Sequence, residues 1–135
     1  MTAPRFVLDT NTVSDLVKNP QGRVAQRLAE IGADGICVSL IVAAELRYGC
    51  AKRASMRLTE RVEGVLSRLH VLPLTAPVDR EYAEIRTDAE RTGRNIGPND
   101  LWIAAHARSL GVPLVTANER EFRTVRGLNI ENWLR

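Results

Sequence analysis

Short runs of consecutive apolar residues alternate along this chain with segments whose apolar positions recur every three or four residues. RFVLD (Arg5–Asp9) has strand length, and GICVS (Gly35–Ser39), VLPL (Val71–Leu74) and VPLVTA (Val112–Ala117) read the same way. LNIENWL, from Leu128, offers a last edge strand. Between these runs the period turns helical. TNTVSDLVK (Thr10–Lys18) is a short helix with Thr10 or Asn11 able to cap it. QGRVAQRLAEIG sets Val24, Leu28 and Ile31 on one face and stops at Gly32. Ser39 caps LIVAAELRYGCAKR, whose opening turns are apolar all round and so predict a buried helix. SMRLTERVEGVLSRLH (Ser55–His70) gathers Leu58, Val62, Val65, Leu66 and Leu69. PVDREYAEIRTDAERTGR is a further helix, stopped at Gly93. NIGPNDLWIAAHA (Asn95–Ala107) starts a helix at Pro98, where a missing N–H costs nothing.

Alternating strands and helices argue for an α/β fold: a central parallel sheet flanked by helices on both faces. The 135 residues are expected to form a single domain, 1–135, without repeat, low-complexity tract or linker. A chain of this size hides roughly two-thirds of its unfolded surface. Ligands of open parallel sheets bind beyond the carboxyl ends of the strands, where the strand order reverses.

Composition narrows the class. With 44% hydrophobic and 26% charged residues the chain reads as an ordinary globular protein. Its longest apolar stretch, about Ile36–Ala44, falls far short of the ~20 residues of a membrane span. No signal peptide is read ahead of the first strand, so a cytoplasmic protein is expected. The net charge of +3 permits a polyanionic partner. It is carried almost wholly by arginine, Lys18 and Lys52 being the only lysines, and that bias equally reflects base composition. Cys37 and Cys50 have no metal-ligand spacing and read as small core residues.

The chemistry lies in carboxylates at unusual places. Asp9 closes the first strand, at the position the sheet rule singles out, though a helix cap explains it equally. Glu45 interrupts an apolar helix, where an unpaired buried carboxylate would take up a proton unless a cation compensated it. Arg47 or Arg53 would serve structurally; so would a metal. Asp100 opens the run LWIAA and also suits a helix N-terminus. Asn118, Glu119 and Glu121 follow the strand PLVTA and are otherwise ordinary loop polars, while the Thr116 hydroxyl could steady a carboxylate. Gathered on one rim without lysine, such acids repel one another, and a hard divalent cation relieves that repulsion. Mg²⁺ takes a few carboxylates, keeps several waters and engages phosphate, which leads to metal-assisted attack of water on a phosphodiester.

Four segments in order, VLDTN (Val7–Asn11), VAAELRYG (Val42–Gly49), GPNDLWIAAHA (Gly97–Ala107) and LVTANEREF (Leu114–Phe122), resemble the motifs of PIN-domain ribonucleases. More closely they resemble the VapC toxins of bacterial VapBC toxin–antitoxin pairs, over essentially the whole chain. The resemblance implies a PIN-like three-layer α/β/α fold. It makes Asp9, Glu45 and Asp100 the invariant acids, serving catalysis and metal binding. Asn118 stands where many members carry a fourth Asp, and Glu121 supplies an acid in members with this spacing. Thr10 and Asn11 match the polar pair that orients ligands. Further implications are a Mg²⁺-dependent endoribonuclease with Mn²⁺ able to substitute, an RNA substrate such as initiator tRNA, inhibition by a VapB-like antitoxin, and a homodimer.

Arg86 and Arg94 flank the approach to Asp100 and are candidates for RNA contact. His70, His106, Trp102 and Trp133 read as structural residues. Other classes remain open: a phosphoacceptor domain, disfavoured because neither lysine is placed for it, a silent PIN-like binding module, or a housekeeping nuclease of this fold.

Overall fold

A computed structural model describes residues 3–135. β1 (Phe6–Leu8), β2 (Ile36–Ser39), β3 (His70–Leu72), β4 (Leu114–Val115) and β5 (Ile130–Glu131) form one sheet in the order β3-β2-β1-β4-β5. Every pairing is parallel, with Phe6 opposite Ile36 and Val7 opposite Leu114. The inner strands β1, β2 and β4 are almost wholly buried, which is why they read as continuous apolar runs rather than alternations.

The connecting helices are α1 (Thr10–Lys18), α2 (Arg23–Ile31), α3 (Leu40–Arg53), α4 (Met56–Leu66), α5 (Val78–Arg91), α6 (Pro98–Leu110) and the short α7 (Glu119–Phe122). α1 packs with α2, α3 and α4; α5 packs with α6, and α3 also meets α6. None is long and apolar enough to cross a membrane. The strand order runs outward on one side of β1 through β2 to β3, then returns to the other side at β4. The switch point therefore lies at the carboxyl ends of β1 and β4.

Several expectations need correction. The cap of α1 is Asp9 rather than Thr10 or Asn11: its side chain accepts from the Thr12 N–H, the third residue of the helix. The helix expected over Ser55–His70 ends at Leu66, because the chain must turn to lay His70 beside Cys37. Ser67 closes it, its hydroxyl donating to the Gly64 carbonyl at 2.8 Å. The strands expected at Val71–Leu74 and Val112–Ala117 are His70–Leu72 and Leu114–Val115, since pairing rather than apolarity sets their ends. α3 is not buried all round. Leu40 and Tyr48 are 45% and 67% exposed, left uncovered by the described residues. α6, by contrast, buries Leu101, Ile103, Ala104, Ala105, His106 and Ala107.

Candidate active site

The rim at the β1–β4 switch point collects carboxylates from four separate parts of the chain. Asp9 follows β1 and is only 4% exposed. One of its oxygens accepts from the Thr12 N–H at 2.9 Å, the other from the Thr116 hydroxyl at 2.5 Å. Thr116, at the end of β4, also accepts from the Asn118 N–H at 2.9 Å, and the Thr12 hydroxyl donates to the Val115 carbonyl at 3.1 Å. The carboxyl ends of β1 and β4 are thus tied through the side chain that a ligand would meet.

Glu45 stands half-buried on α3. Thr10 donates its hydroxyl to one Glu45 oxygen, and the Asn99 amide donates to the other at 3.2 Å. Neutral donors hold it; Arg47, weighed from sequence as its cation, instead pairs with Glu63. Glu121 projects from α7 and accepts from the Gly97 N–H at 3.1 Å and from the Asn118 side-chain amide. Asn118 therefore directs its nitrogen at Glu121. Asn11 lies exposed beside the cluster.

Asp100 lies in the first turn of α6 and brings the group together electrostatically. Its carboxyl is pushed up to about 7, first by burial, then by the charge of Glu121 and a hydrogen bond shared with it, and then by Glu45 and Asp9. Among the described residues, none of Asp9, Glu45, Asp100 and Glu121 forms an ion pair with arginine, lysine or histidine. Nor, among those residues, do three or more acids, histidines or cysteines close into a ready-made cage around one point.

Arg94 lines the cleft that carries Asn118 and Glu121, and with Arg86 it borders Pro98 at the start of α6. Arg86 donates to the Tyr82 hydroxyl at 2.9 Å and to Glu90 at 3.2 Å on its own helix. Arg94 pairs with Asp88 and donates to Thr92 at 2.7 Å and to the Thr124 carbonyl. Both are engaged by the protein itself. His106 is buried, with Nδ1 lacking a hydrogen-bond partner, and burial lowers its pKa. Trp133 packs edge-on against Phe6, and Trp102 stacks on Tyr82. Sequence reasoning passed over Thr12, Asn99 and the Gly97 N–H. Thr12 was findable, because a capping aspartate accepts from the third helical N–H. Asn99 and Gly97 carry no signal beyond their nearness to Asp100.

This fold and rim define a PIN domain. A PIN-domain family model matches residues 6–128, and the chain belongs to that family. Within it, the chain is 38% identical over 133 residues to the tRNA(fMet)-specific endonuclease VapC of Shigella flexneri, covering 96% of this chain and 98% of that protein. It is also 38% identical over 131 residues to ribonuclease VapC2 of Haemophilus influenzae, with the same coverage of each. Among solved structures it matches DNA-bound VapBC from Salmonella typhimurium at a TM-score of 0.89 and 38% identity, over 96% of this chain and 98% of that one.

Proposed function

We propose that the protein is the toxin of a VapBC-type pair, a metal-dependent endoribonuclease of the cytoplasm restrained by a cognate VapB-like antitoxin. The observation that carries the reading is the set of four carboxylates converging without a cation from the protein to neutralise them. Such a cluster fits Mg²⁺, which needs few protein ligands and retains water, and Mn²⁺ would substitute. Asp9 and Asp100 would hold the ion, with Glu45 and Glu121 completing the charge. A cation held there would supply charge neutralisation at the phosphate and acidification of an attacking water.

The residues of the chain prepare that chemistry. Thr12 and Thr116 hold the Asp9 carboxylate in one orientation. Thr10 and Asn99 do the same for Glu45, and Gly97 and Asn118 for Glu121. Burial and the neighbouring carboxylates push the Asp100 carboxyl up to about 7, and a cation bound beside it would favour the ionised form. Relatives from Shigella flexneri and Salmonella typhimurium are named for action on tRNA(fMet), which makes initiator tRNA the substrate expected here. VapBC complexes among the matching structures support the antitoxin as partner.

The test is cleavage of total tRNA by the purified full-length chain, with the cut ends sequenced. EDTA should stop cleavage, and Mg²⁺ or Mn²⁺ should restore it. Asp9→Asn, Glu45→Gln and Asp100→Asn should each fold normally. Each should lose more activity than the roughly 10–100-fold typical of losing a residue that merely supports a metal ligand. Full activity of Asp9→Asn, or of chelated protein, would refute the reading.

A further inference from the structure

An acidic active site repels the polyanion it must cut, so the energy that holds RNA has to come from cationic surface beside it. The two arginines that the sequence nominated are engaged within the protein. Others are not. A cavity of about 480 Å³ opens between the end of α5, α6 and the loop after α7, and Arg91, Arg94, Arg108 and Arg126 line it. Arg108 is held by Glu81 at 2.8 Å and Glu84 at 2.9 Å, and Arg94 by Asp88. These ion pairs account for both Glu84 and Asp88, the acids of the lining. Arg91 and Arg126 are exposed and, among the described residues, make no ion pair.

This cavity adjoins a second one beside the active-site rim. Arg94 and Ile96 also line this second cleft, of about 360 Å³, whose other wall carries Asn118, Glu121 and Arg120. Arg120 is likewise exposed and without an ion pair among the described residues. The surface the two clefts make sets Arg120 beside the acid cluster and Arg91 and Arg126 on the far side of the fixed Arg94. It carries unneutralised guanidinium groups, which match phosphate oxygens two at a time.

We propose that Arg91, Arg120 and Arg126 form a phosphate-binding track that grips the RNA backbone alongside the acid cluster. The inference rests on the reading of the protein as a ribonuclease and adds where its substrate is held. Arg94 is a post that shapes this surface, its charge already spent on Asp88.

The experiment measures binding of a fluorescent single-stranded RNA oligonucleotide to the full chain in EDTA, across a salt series, together with cleavage kinetics in Mg²⁺. Arg91→Ala/Arg126→Ala should weaken binding about tenfold and flatten the log Kd against log salt slope by about 1.4, since each single-strand phosphate contact contributes roughly 0.7. Arg126→Ala, on a loop, should produce about half that change in slope. Cleavage should suffer through KM with kcat retained, because the contact acts equally before and during reaction. Arg91→Lys/Arg126→Lys should keep most of the slope, and Arg57→Ala on α4 should change nothing. A double alanine variant that binds RNA with wild-type affinity and slope overturns the track, and the nuclease reading survives if that variant still cleaves. Retained RNA binding with loss of antitoxin binding would assign the surface to protein contact and overturn the track too. Wild-type chain that neither binds nor cleaves RNA would overturn the track and the nuclease reading together.

Discussion

Asp100 concentrates the electrostatics of the molecule in one side chain. Its folded pKa of about 7 lies well above the ordinary 3.8, so the folded state holds a proton that the unfolded state releases. Below about 4 both states are protonated and the group is neutral to stability. As pH rises from there to about 7, the unfolded state is progressively favoured, and above 7 the cost stays at its full value. His106 acts in the opposite sense: its lowered pKa costs stability as pH falls through the ordinary value of 6.5. Asp100→Asn should therefore raise the melting temperature of chelated protein at pH 8, by about 3 °C or more, and by clearly less at pH 4.5. A variant melting below wild type at pH 8 would show that the carboxylate is not strained by its neighbours. At this scale the sequence displays the acids more plainly than the engagements of the arginines. Asp9, Glu45 and Asp100 stand out because each ends, interrupts or opens an apolar run. The engagement of Arg86 by Tyr82 and Glu90, and of Arg94 by Asp88, depends on side-chain geometry that no spacing displays.

Among the elements, α3 and α6 look alike as strings and behave differently. Each carries an apolar run, Leu40–Ala44 in α3 and Leu101–Ala105 in α6, yet only α6 is covered on nearly every side. Helical periodicity reports which residues can be buried; the neighbours that bury them come from distant sequence. The same limit explains the overrun of α4, whose apolar stripe continues through Leu69 after the helix has ended. α7 was read as loop polars because one turn carries no measurable period, although it sets the direction of Glu121. The succession of strands and helices along the chain was legible because the inner strands are short apolar runs, whereas their order in the sheet was not. α6 is the rigid mount of Asp100, and Ile103 within it is fully buried. Ile103→Ala should cost about 2–5 kcal/mol in chemical denaturation. It should also reduce activity, as the mount shifts toward the space created. Wild-type stability would mean that this packing is not what holds the helix.

The molecule as a whole leaves several large apolar side chains exposed. Leu40, Tyr48 and Met56, from α3 and the start of α4, are 45%, 67% and 79% exposed. We expect a homodimer that covers them. Light scattering should give twice the chain mass over a wide concentration range, and Tyr48→Asp should shift the population toward monomer. A wild type that is monomeric throughout would remove the dimer from the account.

The strand order has a further consequence, in the time taken to make the protein. β1 is completed first, but its partner β4 and the residue Glu121 are translated after every other part of the rim. Until β4 emerges, Asp9 lacks the Thr116 hydroxyl that holds it. A nascent chain that has reached only α6 is thus an unarmed one. Parallel topology thus delays assembly of the rim until β4 and α7 have both been made.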